Sequence, residues 1–320
     1  MKNIFYYGFD WSGNIGNAFI DYTVNYELKK ATEGMDVAIY NMSNKPANLK
    51  YNFAIRKPFG LFGKASPFDI RTMVKADVVV LGAALFDIYW SKVETGLLKW
   101  LEETQTKVIV LGGGGGNRYS KEEVDYVKSI WKKINVVCYV ARDAKAYENF
   151  SDISDMSYLG IDNAFFLKDC FKPAPLTIEN LAIKTFDLTF DRKIEVPEGY
   201  TLVSLRHRED DVDSIKFARK NGLKTFSIVK DTDMISDFAD DYLHLYGNSK
   251  ITHSDRVHAC VSTLSFGGFA RYYDNSDRAY LFERVGLSEI KNKLVKLDQD
   301  FISQEKEKQL SVLKSALKIV

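Results

Sequence analysis

Residues 76–83 read ADVVVLGA, four bulky apolar side chains in a row closed by a glycine. A half-exposed strand alternates apolar and polar residues, so an unbroken apolar run of this length fits a strand covered on both faces. The pattern returns at 107–113, KVIVLGG, and at 136–143, VVCYVARD, with 3–9, NIFYYGF, and 36–42, DVAIYNM, as further strands. Helix-like stretches separate them. In 18–31, AFIDYTVNYELKKA, Phe19, Val24, Leu28 and Ala31 return at near-helical spacing, and 91–103, SKVETGLLKWLEE, and 120–134, SKEEVDYVKSIWKKI, follow. Strand and helix alternating in this way predict a parallel sheet with helices on both faces. Residues 44–72, basic and aromatic with Pro46, Pro58 and Pro67, are expected to be irregular.

Near 160–200 the alternation weakens, and FKPAPLTIEN and RKIEVPEGY carry three of the six prolines. A second alternation follows: strand 200–206, helix 210–222, strand 223–230, helix 233–242, a polar stretch, helix 256–267, strand 268–274 and a helix from Asp277. The end, 303–319, predicts a helix with Leu310, Leu313 and Leu317 on one face. A chain of 320 residues exceeds what one core usually supports. The expected architecture is α/β, two Rossmann-like domains facing across a cleft. The first spans 1–175, the second 176–302, and 303–320 forms a C-terminal helix packing back on the first. In open parallel sheets ligands sit beyond the carboxyl ends of the strands, so residues just after strands are the candidates.

Lys and Arg (44) nearly balance Asp and Glu (43), which removes a global field for nucleic acid or an anionic membrane. Any anion must be held by a local cluster. Cys138, Cys170 and Cys260, odd in number and far apart, fit neither a disulfide framework nor a CxxC metal site. His207, His244 and His253 lack metal spacing, so no metal and no cofactor is expected. With no cleavable leader and no spanning apolar run in view, the expectation is a soluble, cytoplasmic chain.

Four stretches carry candidate chemistry. In 12–17, SGNIGN, glycines between the first strand and first helix allow close approach of an anion or a hydroxyl-rich group, or simply a tight turn. The run 111–117, LGGGGGN, lacks GxGxxG spacing because its third glycine would be Asn117, and it reads as packing or a cleft loop. In 139–147, YVARDAKAY, Arg142 follows a buried strand, where it either grips a carboxylate or phosphate or pairs with Asp143 or another acid. In 253–260, HSDRVHAC, Ser254 or Asp255 is a natural N-cap, and Val257, Val261 and Leu264 make the buried stripe. Arg256 and His258 then fall at the start of a helix, where unpaired N–H groups and the macrodipole disfavour cations by a few tenths of a kcal/mol up to about 1 kcal/mol. Two basic groups there make sense beside a bound anion. Two weaker stretches remain. In 204–210, SLRHRED, Arg206 and His207 are a second contact or a solvated turn, and in 271–287 Arg271, Tyr273 and Arg278 are surface or site.

The order of these landmarks resembles the polysaccharide pyruvyl transferase family, loosely from about residue 5 to about 290. SGNIGN matches its glycine loop, ADVVVLGAALF its strand and glycine cluster, VARDAKAY its RD element and LGIDNAFFL its D-x-A-F step. SDRVHA matches the RxH element, and YYDNSDRAYLFERVGL the closing segment. The chain departs from the pattern at Asn17, where the family usually has aspartate, at Ala83 and Ala84 after Gly82, and at NSD, which replaces a lysine. The resemblance implies a GT-B-like fold and transfer of the enolpyruvyl group of phosphoenolpyruvate to a sugar of a surface polysaccharide or its lipid-linked precursor. It implies donor contacts from Arg142, Arg256, His258 and Arg278, and an acceptor side around Tyr7, Phe9, Trp11, Asn14, Gly16 and Asn17. Among these His258 suits proton transfer near neutral pH. A lipid-linked acceptor would bring the chain into peripheral contact with a membrane. A nucleotide-sugar glycosyltransferase of the same fold, or a non-catalytic glycan-binding member, are the alternative readings.

Overall fold

The computed structural model describes residues 1–8, 14–42, 71, 73–82, 86, 88, 91, 95–115, 119–175, 201–205, 226–228 and 239–320. Phe9, Trp11, Ala83, Ala84, Asn117, Arg206 and His207 lie outside the described residues, as do the expected irregular stretch 44–70 and helix 210–222. The chain divides into two compact units, Met1–Asn163 with Glu305–Val320, and Ala164–Gln304.

Unit 1 is built on a six-stranded parallel sheet in the order β2-β1-β3-β4-β5-β6. Its strands are β1 (Lys2–Tyr7), β2 (Val37–Asn41), β3 (Val78–Gly82), β4 (Lys107–Gly113), β5 (Val136–Ala141) and β6 (Ser157–Leu159). Every residue of β3 is buried, as its unbroken apolar run requires. The connecting helices are α1 (Gly16–Ala31), α2 (Thr95–Thr104), α3 (Lys121–Trp131) and α4 (Ala144–Phe150). α3 opens with a capping box, in which Ser120 Oγ accepts from Glu123 N at 3.2 Å and Glu123 Oε2 accepts from Ser120 N at 3.1 Å. The core is aromatic, with Phe86 stacked on Trp131 at 4.4 Å between ring centroids and packed on Tyr139 and Phe150.

Unit 2 holds a five-stranded sheet in the order β11-β10-β9-β7-β8. Its strands are β7 (Thr201–Ser204), β8 (Phe226–Ile228), β9 (Ile251–Ser254), β10 (Phe269–Tyr272) and β11 (Val295–Lys296), all parallel to their neighbours except β11. Its helices are α5 (Leu167–Cys170), α6 (Ala239–Asn248), α7 (Val257–Ser265) and α8 (Tyr280–Arg284). α9 (Gln299–Ile319) closes the chain, its residues from Glu305 onward belonging to unit 1.

Five expectations are corrected. The helix expected to end at 242 continues, from Ala239 among the described residues, to Asn248, and the polar stretch after it contains β9, a central strand. The N-cap of α7 is Arg256, with an extended backbone, while Ser254 Oγ accepts from Arg256 N at 2.9 Å one step earlier. α7 is buried at Val257 and from Ala259 through Ser265, not along one stripe, because it sits between the sheet and α6. In α9 the buried stripe is Ile302, Glu305, Gln309, Leu313, Ala316 and Leu317, with Leu310 only half-buried.

Candidate functional site

Each sheet has a point where the strand order reverses, and there the carboxyl ends of two strands splay apart to leave a crevice. In unit 1 this lies between β1 and β3. β1 ends at Tyr7, which is half-buried, and the described chain resumes at the turn into α1. There Asn14 Oδ1 accepts from Gly16 N at 3.1 Å, Asn14 Nδ2 donates to Asn17 Oδ1 at 3.3 Å, and Asn17 N donates to Asn14 O at 3.0 Å. Asn14, Gly16 and Asn17 are thus brought together, and the two amides shape the first turn of the helix. Beneath that turn Tyr6 donates to Asp21 Oδ1 at 2.5 Å, both fully buried. A Cβ on Gly82 would come 2.7 Å from the Tyr6 hydroxyl, so the glycine closing β3 leaves room for this pair.

Arg142 stands at the carboxyl end of β5 and bridges both neighbouring strands. Nη1 donates to Asp162 Oδ2 at 3.4 Å beyond β6, and Nη2 donates to the Gly115 carbonyl at 3.2 Å beyond β4. Asp143 Oδ2 lies 3.9 Å from Nε, which makes no hydrogen bond among the described residues. Arg142 is 5% exposed, and two buried carboxylates and a carbonyl hold its guanidinium in place. Asp143 also caps α4, accepting from Ala146 N at 2.7 Å. Burial pushes its carboxyl above the ordinary value against the pull of Arg142 and two backbone N–H groups. The glycine run serves this arrangement. A Cβ at Gly114 would fall 2.5 Å from Arg142 Nε, one at Gly113 2.6 Å from the Tyr139 ring, and Gly112 takes φ +79°.

In unit 2 the reversal lies between β7 and β9, and α7 starts directly above it. Ser254 Oγ donates to the Ser204 carbonyl at 2.8 Å, tying the two strand ends together. Arg256, half-buried, is the N-cap of α7 and His258, also half-buried, stands in its first turn, where the N–H groups have no intrahelical acceptors. Ser204 Oγ is fully buried at this edge and has no hydrogen-bond partner among the described residues. Arg278 lies exposed in the 3-10 turn Asp277–Ala279, on a separate segment of the unit.

Sequence reasoning passed over Asp162 as a partner of Arg142, although Asp162 stands in a quoted landmark, because nothing local places β6 beside β5. It also passed over His253. Its Nδ1 lies 2.9 Å from the Tyr273 hydroxyl, and burial together with the Arg271 cation lowers its pKa to about 4. Among the described residues no group of three or more His, Cys, Asp or Glu could hold a metal ion. No described helix is long and apolar enough to cross a membrane.

Comparison with known proteins bears on family and fold. The family model described as polysaccharide pyruvyl transferase matches residues 14–276. Among solved structures, a Listeria monocytogenes protein assigned as a UDP-N-acetylglucosamine 2-epimerase aligns at TM-score 0.53 and 10% identity, covering 98% of this chain and 90% of the other. A Neisseria meningitidis UDP-GlcNAc 2-epimerase solved with UDP-GlcNAc aligns at TM-score 0.50 and 11% identity, covering 99% and 98%. At such identities the likeness is one of fold, the GT-B class. No curated protein sequence matches the chain.

Proposed function

We propose that this chain, which belongs to the polysaccharide pyruvyl transferase family, moves the enolpyruvyl group of phosphoenolpyruvate onto a sugar of a surface glycan or its lipid-linked precursor. The observation that carries the reading is the start of α7. A nine-residue helix opens at the strand reversal of unit 2, with an arginine as N-cap and a histidine in its first turn. Its N–H groups and macrodipole favour an anion, and the cation of Arg256 is stabilised there once one is bound. Phosphoenolpyruvate carries a carboxylate and a phosphate, the latter about −1.5 to −2 at neutral pH by analogy with other phosphomonoesters. Arg142 retains donors for a ligand, since among the described residues each terminal nitrogen makes one hydrogen bond and Nε makes none.

In the proposed reaction His258 delivers a proton to the terminal carbon of the enol, which becomes a methyl group. One sugar hydroxyl bonds to C2 and phosphate leaves with the electron pair of the broken C–O bond. A second hydroxyl then closes the ring, and the two hydroxyl protons pass to His258 and solvent. The products are a pyruvate ketal and inorganic phosphate. The acceptor side is assigned to Tyr7, Asn14, Gly16 and Asn17, with Phe9 and Trp11.

The test is incubation of candidate glycans with phosphoenolpyruvate, reading the glycan's mass gain together with phosphate release. Both signals are expected to disappear in His258→Ala and in Arg142→Ala. Phosphate release without a modified glycan, in every glycan tried, would argue against the transfer. A second reading, a nucleotide-sugar enzyme, is favoured only by the fold shared with the UDP-GlcNAc 2-epimerases. Thermal stabilisation by UDP and none by phosphoenolpyruvate would select it.

A further inference from the structure

On β10 and β9, Arg271 and His253 are register partners, so both side chains project from the same face of the sheet. Thr252, one residue earlier, bonds to Thr263 of α7 at 2.7 Å, so Arg271 and His253 lie on the face away from that helix. Tyr273, two residues after Arg271, shares this face. Its hydroxyl lies 2.9 Å from His253 Nδ1, and the Arg271 guanidinium carbon stands 4.9 Å from its ring centroid. The ring therefore occupies one face of the guanidinium, in cation–π geometry. Among the described residues no acceptor engages its planar edge, the edge that recognises two-oxygen anions. Among the described residues, Nε of Arg271 is buried with no hydrogen-bond partner, and no carboxylate lies within ion-pair distance of this arginine. The nearest acid in sequence, Asp274, accepts instead from the Tyr272 hydroxyl at 3.3 Å and from Asn275 N at 2.8 Å.

We propose that Arg271, held flat by Tyr273, forms a carboxylate-binding site on the face of the unit 2 sheet remote from α7. A carboxylate matches it on two counts. Its single negative charge balances a single cation, and its two coplanar oxygens fit the guanidinium fork. The adjoining imidazole, kept neutral by burial and by Arg271 itself, adds no second positive charge that would call for a dianion. The carboxylate's source is either a free small organic acid, for which pyruvate is the probe, or an acidic sugar, for which D-glucuronate is. The site does not depend on the transferase reading, because binding is read without turnover.

The test titrates the intact chain at low ionic strength with pyruvate, D-glucuronate and inorganic phosphate, following heat of binding. At least one of the two carboxylates is expected to bind, and which one identifies the source. Arg271→Gln should weaken that binding by about 10–100-fold, the loss of one charge-assisted pair. Arg271→Lys, which keeps the charge and loses the fork, should fall between. Melting temperature and circular dichroism establish that the variants fold. Arg142→Ala should abolish any phosphoenolpyruvate turnover, so carboxylate binding that persists in Arg142→Ala and is lost in Arg271→Gln separates this site from the transferase reading. Failure of both carboxylates to bind the wild-type chain would overturn the site. So would unchanged affinity in Arg271→Gln, or an equal loss of phosphate affinity in that variant.

Discussion

Glu27 is fully buried in α1, where it accepts from Asn163 Nδ2 at 2.7 Å and from Gln309 Nε2 at 3.0 Å. Burial is the largest influence on its carboxyl and raises its pKa to about 8, against the pull of those two donors. The sign of the resulting pH dependence follows. In the unfolded chain the group ionises from its ordinary value near 4.5, whereas in the folded chain it stays protonated until about 8. The stability it contributes is therefore complete at acid pH and is lost as pH rises through that window. Denaturant titrations at pH 5, 7 and 9 should show this fall, and Glu27→Gln should flatten it. The amide is tolerated because Asn163 Oδ1 is buried without a hydrogen bond among the described residues, and half a turn of the Asn163 amide would present it to the new N–H. Glu27→Ala, which strands both donors, should cost about 2–5 kcal/mol. Equal slopes in wild type and Glu27→Gln would refute the assignment.

At the scale of elements, β4 and its glycine run show structure and candidate chemistry meeting. The run has no phosphate-loop spacing, and its glycines pack under Arg142 and Tyr139. Gly114→Ala places a methyl group against Arg142 Nε and Cγ, so the guanidinium must swing away from the Gly115 carbonyl and Asp162. Overpacking of this kind costs about 1–3 kcal/mol. The variant should melt only modestly lower while losing ten-fold or more of any phosphoenolpyruvate-dependent rate, through the displacement of Arg142. A full rate with the same melting temperature would show that Arg142 needs no such support. β9 teaches the opposite lesson about legibility. β3, β4 and β5 were readable because their burial is written in valine, leucine and isoleucine. β9 is just as central, but its buried residues are Thr252, His253 and Ser254, satisfied by Thr263, Tyr273 and Ser204 at sequence distances of 11, 20 and 50. Polar residues whose partners lie that far along the chain look like a loop until the partners are placed. Arg271 stayed obscure for a related reason: composition shows carboxylates nearby in sequence, and only coordinates show that Asp274 is engaged elsewhere.

At the scale of the whole molecule, the open question is what holds unit 1 together, since its chain is completed by residues from the far end of the sequence. The helix at 303–319 was legible from its leucines, yet its buried stripe mixes Leu313, Ala316 and Leu317 with Glu305 and Gln309. Gln309 joins unit 1 at two points, donating to Glu27 and accepting from Ile161 N at 2.9 Å through Oε1. Lys107, at the start of β4, donates to the Ile319 carbonyl at 3.1 Å. Two fully buried leucines contribute roughly 1.5–3 kcal/mol each. The Gln309 bonds add about 0.5–1.5 kcal/mol apiece, and removing Gln309 also strands its partners. The sum is comparable with the 5–15 kcal/mol that usually separates a folded domain from its unfolded chain. A chain ending at Gln304 should therefore lose most of the amide protection in α1 and in residues 160–163. Protection in β9 and α7, which belong to unit 2, should persist, because their contacts among themselves are intact. Hydrogen exchange on the truncated and full chains reads both units at once. Equal loss in both would mean that the two compact units fold as one cooperative body, and unchanged protection in α1 would mean that the polar stripe contributes little to unit 1.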